Sequence, residues 1–498
     1  MNDRPFAWRR RILVRRDQGP AQVRSALGMG TTLTAILLAS GCAVGPDYKP
    51  VQAQEVPTTW AGATGASAYA ASIATSQPAQ LTKWWEKFQD PKLTSLIEEA
   101  LKTNLDIKLA ETNLRQARAS RGIVAGGLWP NLTASGGYGR GGSDSASQDT
   151  FQAGLDSVWE LDIFGGVRRN VESANANIEA AKENIHDVQI TLISEVALNY
   201  IQLRSFQEQI AIARENLQSQ QHTADLTRQR LAVGFASALD TANADAQVST
   251  TASEIPVLET SLRQNIYALS VLLGRPPADL LDDLSKPSPV PLTPPKIPLG
   301  LPSDLLRRRP DIREAEAQLH AATAQIGVAI ADFFPKFSLT GSLNYQNNLL
   351  GTLFAGSSLA WSVGPQVTWP ILQGGSVASN VRLQKALRDQ AYLTYRKTVL
   401  IALQDVENSL VAFNKEWDHR QALSNAYTQN RRALDLSKQL YSQGTTDFLN
   451  VLTAERSVYA SQAALAQSKQ AISTDLVALY KALGGGWEDA DRDVTLSR

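Results

Sequence analysis

Apolar and polar positions along this chain follow two different periods, and the switch between them happens twice. From Leu93 to Leu128 and from Asp304 to Phe333 apolar residues recur every three to four positions, which predicts helices. A proline closes each stretch, Pro130 and Pro335, because its ring cannot continue a helix. The period then drops to two. In the later region Phe337, Leu339, Gly341, Leu343 and Tyr345 alternate with mostly polar residues. After an Asn-, Gly- and Ser-rich loop, Leu359, Trp361, Val363, Pro365, Val367 and Trp369 alternate again. The earlier region shows Leu132, Ala134, Gly136 and Tyr138, then Phe151, Ala153, Leu155, Ser157, Trp159 and Leu161. Two β-hairpins follow, over 131–162 and 336–370. Such alternation, with aromatics toward the ends, suits a membrane strand and equally a half-buried hairpin of a soluble sandwich.

Behind each hairpin stands a glycine pair, Gly165-Gly166 and Gly374-Gly375, and then a very long helical pattern. Val171, Ile178, Ile185 and Leu192 step by sevens; after a stutter, so do Val196, Leu203, Ile210, Leu217, Ala224 and Leu231. The second pattern runs Tyr392, Val399, Val406 and Phe413, then Tyr427, Leu434 and Tyr441, with Arg420 the one exception. Sustained heptads predict coiled-coil packing, and a stutter adjusts the supercoil locally. A helix over 167–231 would be a rod about 100 Å long. Gly234 and Gly444 mark reversals into second helices that end at Leu273-Gly274 and Leu483-Gly484.

The chain is thus written twice. A shift of 205 residues lays Asp106 on Asp311, Ile107 on Ile312, Glu111 on Glu316 and Pro130 on Pro335. Later the shift becomes 210, and Trp159 meets Trp369, Gly234 meets Gly444 and Leu239 meets Leu449. Between the copies Lys286 to Pro298 is dense in proline, which forbids helix and makes a stiff strap. The expected divisions are a signal segment 1–41, an anchored N-terminal segment 42–92, a first repeat 93–274, a Pro-rich linker 275–303, a second repeat 304–484 and a tail 485–498.

Composition narrows the chemistry. The 498 residues carry 48 Lys+Arg against 48 Asp+Glu, so no basic face for nucleic acid is expected. The single cysteine, Cys42, excludes an internal disulfide and a cysteine-based metal site. His186, His222, His320 and His419 share no ligand spacing and read as polar helix-surface residues. No nucleophile–base constellation stands out, and Gly484-Gly485-Gly486 lacks the Lys-Ser/Thr of a phosphate loop, so no enzyme and no cofactor are expected.

The N-terminus instead supplies an address. Arginines up to Arg24, an apolar stretch from Ala26 to Ala39 and small residues before Cys42 form the order of a secretory signal. Leu-Leu-Ala-Ser-Gly-Cys resembles the bacterial lipoprotein box, which makes Cys42 the expected site of lipidation, carrying a diacylglycerol and an N-acyl chain. No later segment is apolar for 18 residues, so a membrane crossing requires a β-barrel. Four strands cannot close one, since small membrane barrels need about eight. Open strand edges have no partners in lipid. If the strands span, several chains share one barrel.

These features together resemble the TolC/OprM-like outer-membrane efflux proteins, in the lipoprotein (NodT-type) branch. The residues that carry the resemblance are Cys42-Ala-Val-Gly-Pro-Asp-Tyr-Lys-Pro, the turn Tyr441-Ser-Gln-Gly444 with Leu449 and Arg456, and Leu479-Tyr-Lys-Ala-Leu-Gly-Gly-Gly-Trp487. The resemblance implies a mainly α protein: a long coiled-coil α-barrel below a transmembrane β-barrel, with four strands per chain and twelve in a homotrimer. It implies anchorage in outer-membrane lipid and extension into the periplasm. It also implies a periplasmic adaptor at the tips and an inner-membrane pump of the RND type that supplies the energy. The export of drugs or other small molecules is the first expectation, and a type I protein-secretion duct or a structural coiled-coil lipoprotein the alternatives. The tip residues Gly234, Tyr441 and Gly444 would turn the helices at the periplasmic mouth. Leu449, Asn450, Thr453 and Arg456, with Asp240 from the first repeat, would form the gate. Asp240 or Asp245 would pair with Arg456.

Overall fold

The computed structural model describes residues 43–51, 56–63, 71–73, 81–143, 146–291, 296–298 and 302–487. The signal segment, Cys42 and most of the tail lie outside them. Two short helices, α1 (Pro91–Thr103) and α2 (Leu105–Gly126), lead into strands β1 (Asn131–Ser143) and β2 (Ala146–Leu161). The long rod α3 (Gly166–Ala232) and its return helix α4 (Ala238–Leu272) complete the first half. The second half follows with α5 (Pro310–Ala331), β3 (Lys336–Asn347), β4 (Leu359–Thr368), α6 (Ser376–Ser442) and α7 (Phe448–Ala482). The rods α3 and α6 are 67 residues each, the returns α4 and α7 are 35 each, and α2 and α5 are 22 each. Equal lengths across both halves make the repeat a property of the backbone. At the usual rise each rod is about 100 Å long.

Two helical stretches differ from the sequence reading. The pattern over 93–128 is split at Asn104, which is 3% exposed. Its side chain accepts from the amides of Asp106 and Ile107 while its Nδ2 donates to Leu272 O at 2.9 Å. An asparagine that caps a new helix start ends the previous helix, whatever the apolar period across it. The stretch 304–333 likewise starts its main helix only at Pro310, because the residue before a proline leaves helical geometry. Past the first rod, α4 carries Pro256 within its length.

Rod α3 packs against α2, α4, α5 and α7, whereas α6 packs chiefly on α5 and α7. Around mid-rod the buried Trp84, Trp85 and Phe88 of a short turn meet Tyr200, Phe413 and Tyr480 in the main core. A smaller core near the reversals joins Ala224, Leu434, Phe448, Val451 and Leu452. Gly485 and Gly486 bring the chain past the core without side chains: a Cβ on Gly485 would meet Leu81 at 2.7 Å. Trp487 then lies buried. His186, read from sequence as a surface residue, is buried as well. It stacks on Trp487 at 4.5 Å beside Glu183, a tertiary neighbour that periodicity does not reveal. The strap between the halves is held at Lys296–Pro298, which pairs in parallel with Ala71–Ile73.

Candidate functional site: the sheet and the helical tips

The four strands form one antiparallel sheet in the order β1-β2-β3-β4, so β1 and β4 are its edges. Register sorts the side chains by face. One row across the sheet reads Ala134, Leu155, Leu343 and Trp361; the next reads Leu132, Ser157, Gly341 and Val363. The opposite face reads Thr133, Asp156, Ser342 and Ser362, then Ser135, Gly154, Asn344 and Ala360. Side chains on this second face bond one another, as Ser342 Oγ does with Ser362 Oγ at 2.8 Å. The apolar face is uncovered: Leu132 is 66% exposed, Trp361 71% and Val363 67%. A soluble sandwich buries such a face under a second layer. Along β2 the apolar face runs from Leu161 to Phe151, and at a tilt of about 40° this span is roughly 25 Å high, the thickness of a membrane barrel's apolar band.

The foot of the sheet is tied to the helices twice. Trp159 donates its indole N–H to Leu128 O at 3.0 Å, and Trp369 donates to Phe333 O at 3.1 Å. Phe164 and Phe334 stack between the halves at 4.4 Å. Here too the N-terminal arm docks, a feature of the site that sequence reading missed. Val44 N–H donates to Phe164 O, and Arg169, whose side chain is 7% exposed, reaches Asp47 at 2.6 Å and Glu172 at 2.7 Å. Tyr48 stacks on His320 at 4.4 Å and donates to Glu316. Gly45 has φ +98, and a Cβ there would lie 2.5 Å from Gly327 Cα. Asp47 and Tyr48 stand in the stretch behind Cys42 that carries the resemblance, and only that placement hinted at a contact.

At the far end of the rods the two reversals share one geometry. Gly234 and Gly444 take φ +81 and +74, a left-handed backbone that favours glycine. Phe235 N–H returns to Arg230 O and Thr445 N–H to Leu440 O. Arg230 bridges the tips: it donates to Tyr441 O at 3.1 Å and lies 4.3 Å over the Tyr441 ring. Asp240 closes a capping box with Ser237, so its carboxylate serves its own helix. On α7, Leu449 is 60% exposed although Phe448, Val451 and Leu452 beside it are 2% exposed, so it is not a packing residue within one chain. Asn450 donates to Thr446 Oγ1, and Thr453 donates to Leu449 O.

The pairing of Arg456 with Asp240 or Asp245 does not occur. Arg456 donates to Gln247 Oε1 at 2.6 Å, two residues beyond Asp245, and Asp245 binds Arg228 on the facing rod. A shift of two residues moves a side chain to the far side of a helix, so contact across a seam depends on rotation that sequence spacing leaves open. Among the described residues no helix is long and apolar enough to cross a membrane, which leaves the sheet as the candidate.

Comparison with known proteins accords with this geometry. The profile of the family "Outer membrane efflux protein" matches residues 96–275 and 301–485, one stretch per repeat. The chain is 33% identical to Nodulation protein T of Rhizobium leguminosarum bv. trifolii, over 92% of this chain and 97% of that protein. It is 34% identical to the toluene efflux pump outer membrane protein TtgI of Pseudomonas putida, over 91% and 97% of the two chains. Among solved structures, the outer-membrane channel OprN superposes with a TM-score of 0.82 at 36% identity, covering 90% of this chain and all of OprN. The open-state MtrE channel of Neisseria gonorrhoeae superposes with a TM-score of 0.76 at 31% identity, over 90% and 99%. Two-faced sheet, paired long rods and family profile lead to one conclusion: this chain belongs to the outer membrane efflux protein family and is a channel subunit of the bacterial outer membrane that reaches into the periplasm.

Proposed function

We propose that three copies of this chain share one β-barrel and form a passive exit duct for small molecules, drugs and solvents among them. The observation that carries the reading is the sheet with an uncovered apolar face and two open edges. Unpaired edge amides and carbonyls cost several kcal/mol each in lipid, so closure by neighbouring copies is the stable arrangement. The rods support it. Helix α5 lies between α3 and α6, and the repeat assigns α2 the equivalent seat between its own α3 and a neighbour's α6. Both sides of that seat carry uncovered apolar residues, Leu109 and Ile123 on α2 and Leu393 and Leu400 on α6.

The duct carries out no chemistry of its own and takes its energy from an inner-membrane pump of the RND type, through a periplasmic adaptor that docks at the tips of the rods. Relatives are named for toluene efflux, antibiotic efflux and pyoverdine export, which favours small molecules over secreted proteins. Cys42 carries the lipid, a diacylglycerol and an N-acyl chain, which together hold the chain more firmly than one chain would. Leu449, Asn450, Thr453 and Arg456, with Asp240 and the turn residues Gly234, Tyr441 and Gly444, form the periplasmic mouth, where a ring of Leu449 gates by dewetting.

Native mass spectrometry in detergent tests the assembly: one discrete trimer is expected, and a folded monomer with its full strand content refutes it. Mass spectrometry of the mature N-terminus tests the anchor. An unmodified Cys42 thiol would overturn that part alone.

A further inference from the structure

The polar face of the sheet is not neutral. Among the described residues its strand positions are filled mostly by Ser, Thr, Asn, Gln and Gly, with Val158 and Ala360 among them, together with two carboxylates, Asp156 and Glu160, both on β2 and both exposed. One base shares that face: Lys336 at the foot of β3, which is paired with Asp332 at 3.2 Å. Register sets Asp156 between Thr133 and Ser342, and Glu160 beside Ser338, with Gln366 beyond it. None of these directly opposed neighbours is cationic, and Lys336, diagonal to Glu160, is held by Asp332. The charged pair within the strands themselves, Arg140 and Asp149, falls on the apolar face beyond Tyr138 and Phe151, at the outer end of the band.

A sheet with one apolar face exposes that face to lipid and turns the other to the lumen. The sheet of a neighbouring copy repeats the same sequence on the same face, so each copy adds two carboxylates to the lumen and one lysine, Lys336, whose charge is already met by Asp332. We propose that Asp156 and Glu160 give the membrane-spanning part of the duct a preference for cations. Its charge selectivity then resides in the barrel wall, while the proposed helical mouth closes on the apolar ring of Leu449. This rests on the shared-barrel reading above. In a barrel of about twelve strands the lumen radius is roughly 10 Å, comparable with the Debye length at 0.1 M salt, so wall charges act on ions along the axis. At 1 M the same charges are screened within about 3 Å. Two carboxylate levels four residues apart on a tilted strand are stacked about 10 Å apart along the axis, close enough for their fields to overlap at low salt.

The test places a reporter in the Asp156 row and reads the local potential there, independently of the narrow helical mouth. Ser342→Cys is introduced into the lipidated full-length protein in liposomes. Its rates of modification by a cationic and by an anionic methanethiosulfonate of similar size are then compared. The expected result at about 0.01 M salt is a ratio of rates favouring the cationic reagent by roughly five- to tenfold, falling toward one at 1 M. In the Asp156→Asn and Glu160→Gln background the low-salt preference falls toward one while both reagents still react. A reactive Cys with equal rates in the native background overturns the inference and leaves the barrel intact, as does a preference that survives the double substitution. A Ser342→Cys protein that neither reagent reaches, with Leu343→Cys reacting instead, overturns the barrel assignment of the faces and the inference with it.

Discussion

Trp369 donates its indole N–H to the carbonyl oxygen of Phe333 at 3.1 Å, across 36 residues of chain. The pair has a twin, Trp159 on Leu128 at 3.0 Å, and the two pairs hold the sheet to the ends of the short helices α5 and α2. Trp159 is the better buried of the two, so the pairs are not of equal weight. Replacing an indole by a phenyl ring keeps much of the packing and removes the donor. Trp159→Phe is expected to cost about 1 kcal/mol and Trp369→Phe less, since water can satisfy an exposed carbonyl. The temperature at which the proposed trimer dissociates on a semi-native gel would read both. The double substitution should be additive, because the sites share no partner.

The docked arm depends on an ionised Glu172. Burial opposes its charge, but Arg169 and His320 outweigh burial and hold the carboxyl below its ordinary 4.5. A depressed carboxyl contributes stability that is present above its unfolded value and lost as pH falls through the folded one. Protection of the Val44 amide, which donates to Phe164 O, should therefore be full at neutral pH and decline below pH 4.5. Hydrogen exchange of the arm peptide, corrected for intrinsic rates, measures it. Arg169→Leu should expose the arm at all pH values, and cleavage by chymotrypsin after Tyr48 should accelerate by about tenfold.

Asp475 behaves in the opposite sense. Burial, and the nearby charge of Glu416, push its carboxyl up to about 6. A raised value means that the folded state holds the proton more tightly than the unfolded chain. That contribution is full below the ordinary 3.8 and is lost as pH rises through about 6. Asp475→Asn, which stays neutral, should stabilise the rods at about pH 7.5 by roughly 1 kcal/mol, a figure discounted for partial exposure. Near pH 3.5 no gain is expected. Thermal unfolding at the two pH values decides, and a gain of equal size at both would place the effect elsewhere than in ionisation.

For the proposed gate, Leu449→Ala should raise single-channel conductance, by about twofold if the leucine ring is the narrowest point. Asn450→Asp should increase the preference for cations at the mouth. Planar bilayers measure both. A folded trimer in which neither substitution changes conductance or ion preference would remove Leu449 and Asn450 from the constriction.

Much of this protein was legible in one dimension because its elements are set by local periodicity. Heptads over Val171 to Leu231 specify a rod wherever they occur, and alternation from Leu132 to Leu161 specifies strands. The glycines at 234 and 444 specify reversals because a left-handed backbone disfavours other side chains. Repetition of the whole order at shifts of 205 and 210 residues is likewise a property of the string. The order of the strands, and hence which residues stand beside Asp156 on its face, required the register across hairpins. So did every contact between distant segments: Arg456 on Gln247 in place of an aspartate, His186 beneath Trp487, the arm from Val44 to Tyr48 on the junction of β2 and α3. Those contacts turn on helix rotation and on how separate elements are brought together, each a matter of a few ångströms. Local spacing places residues on faces, but only the packed chain decides which faces meet.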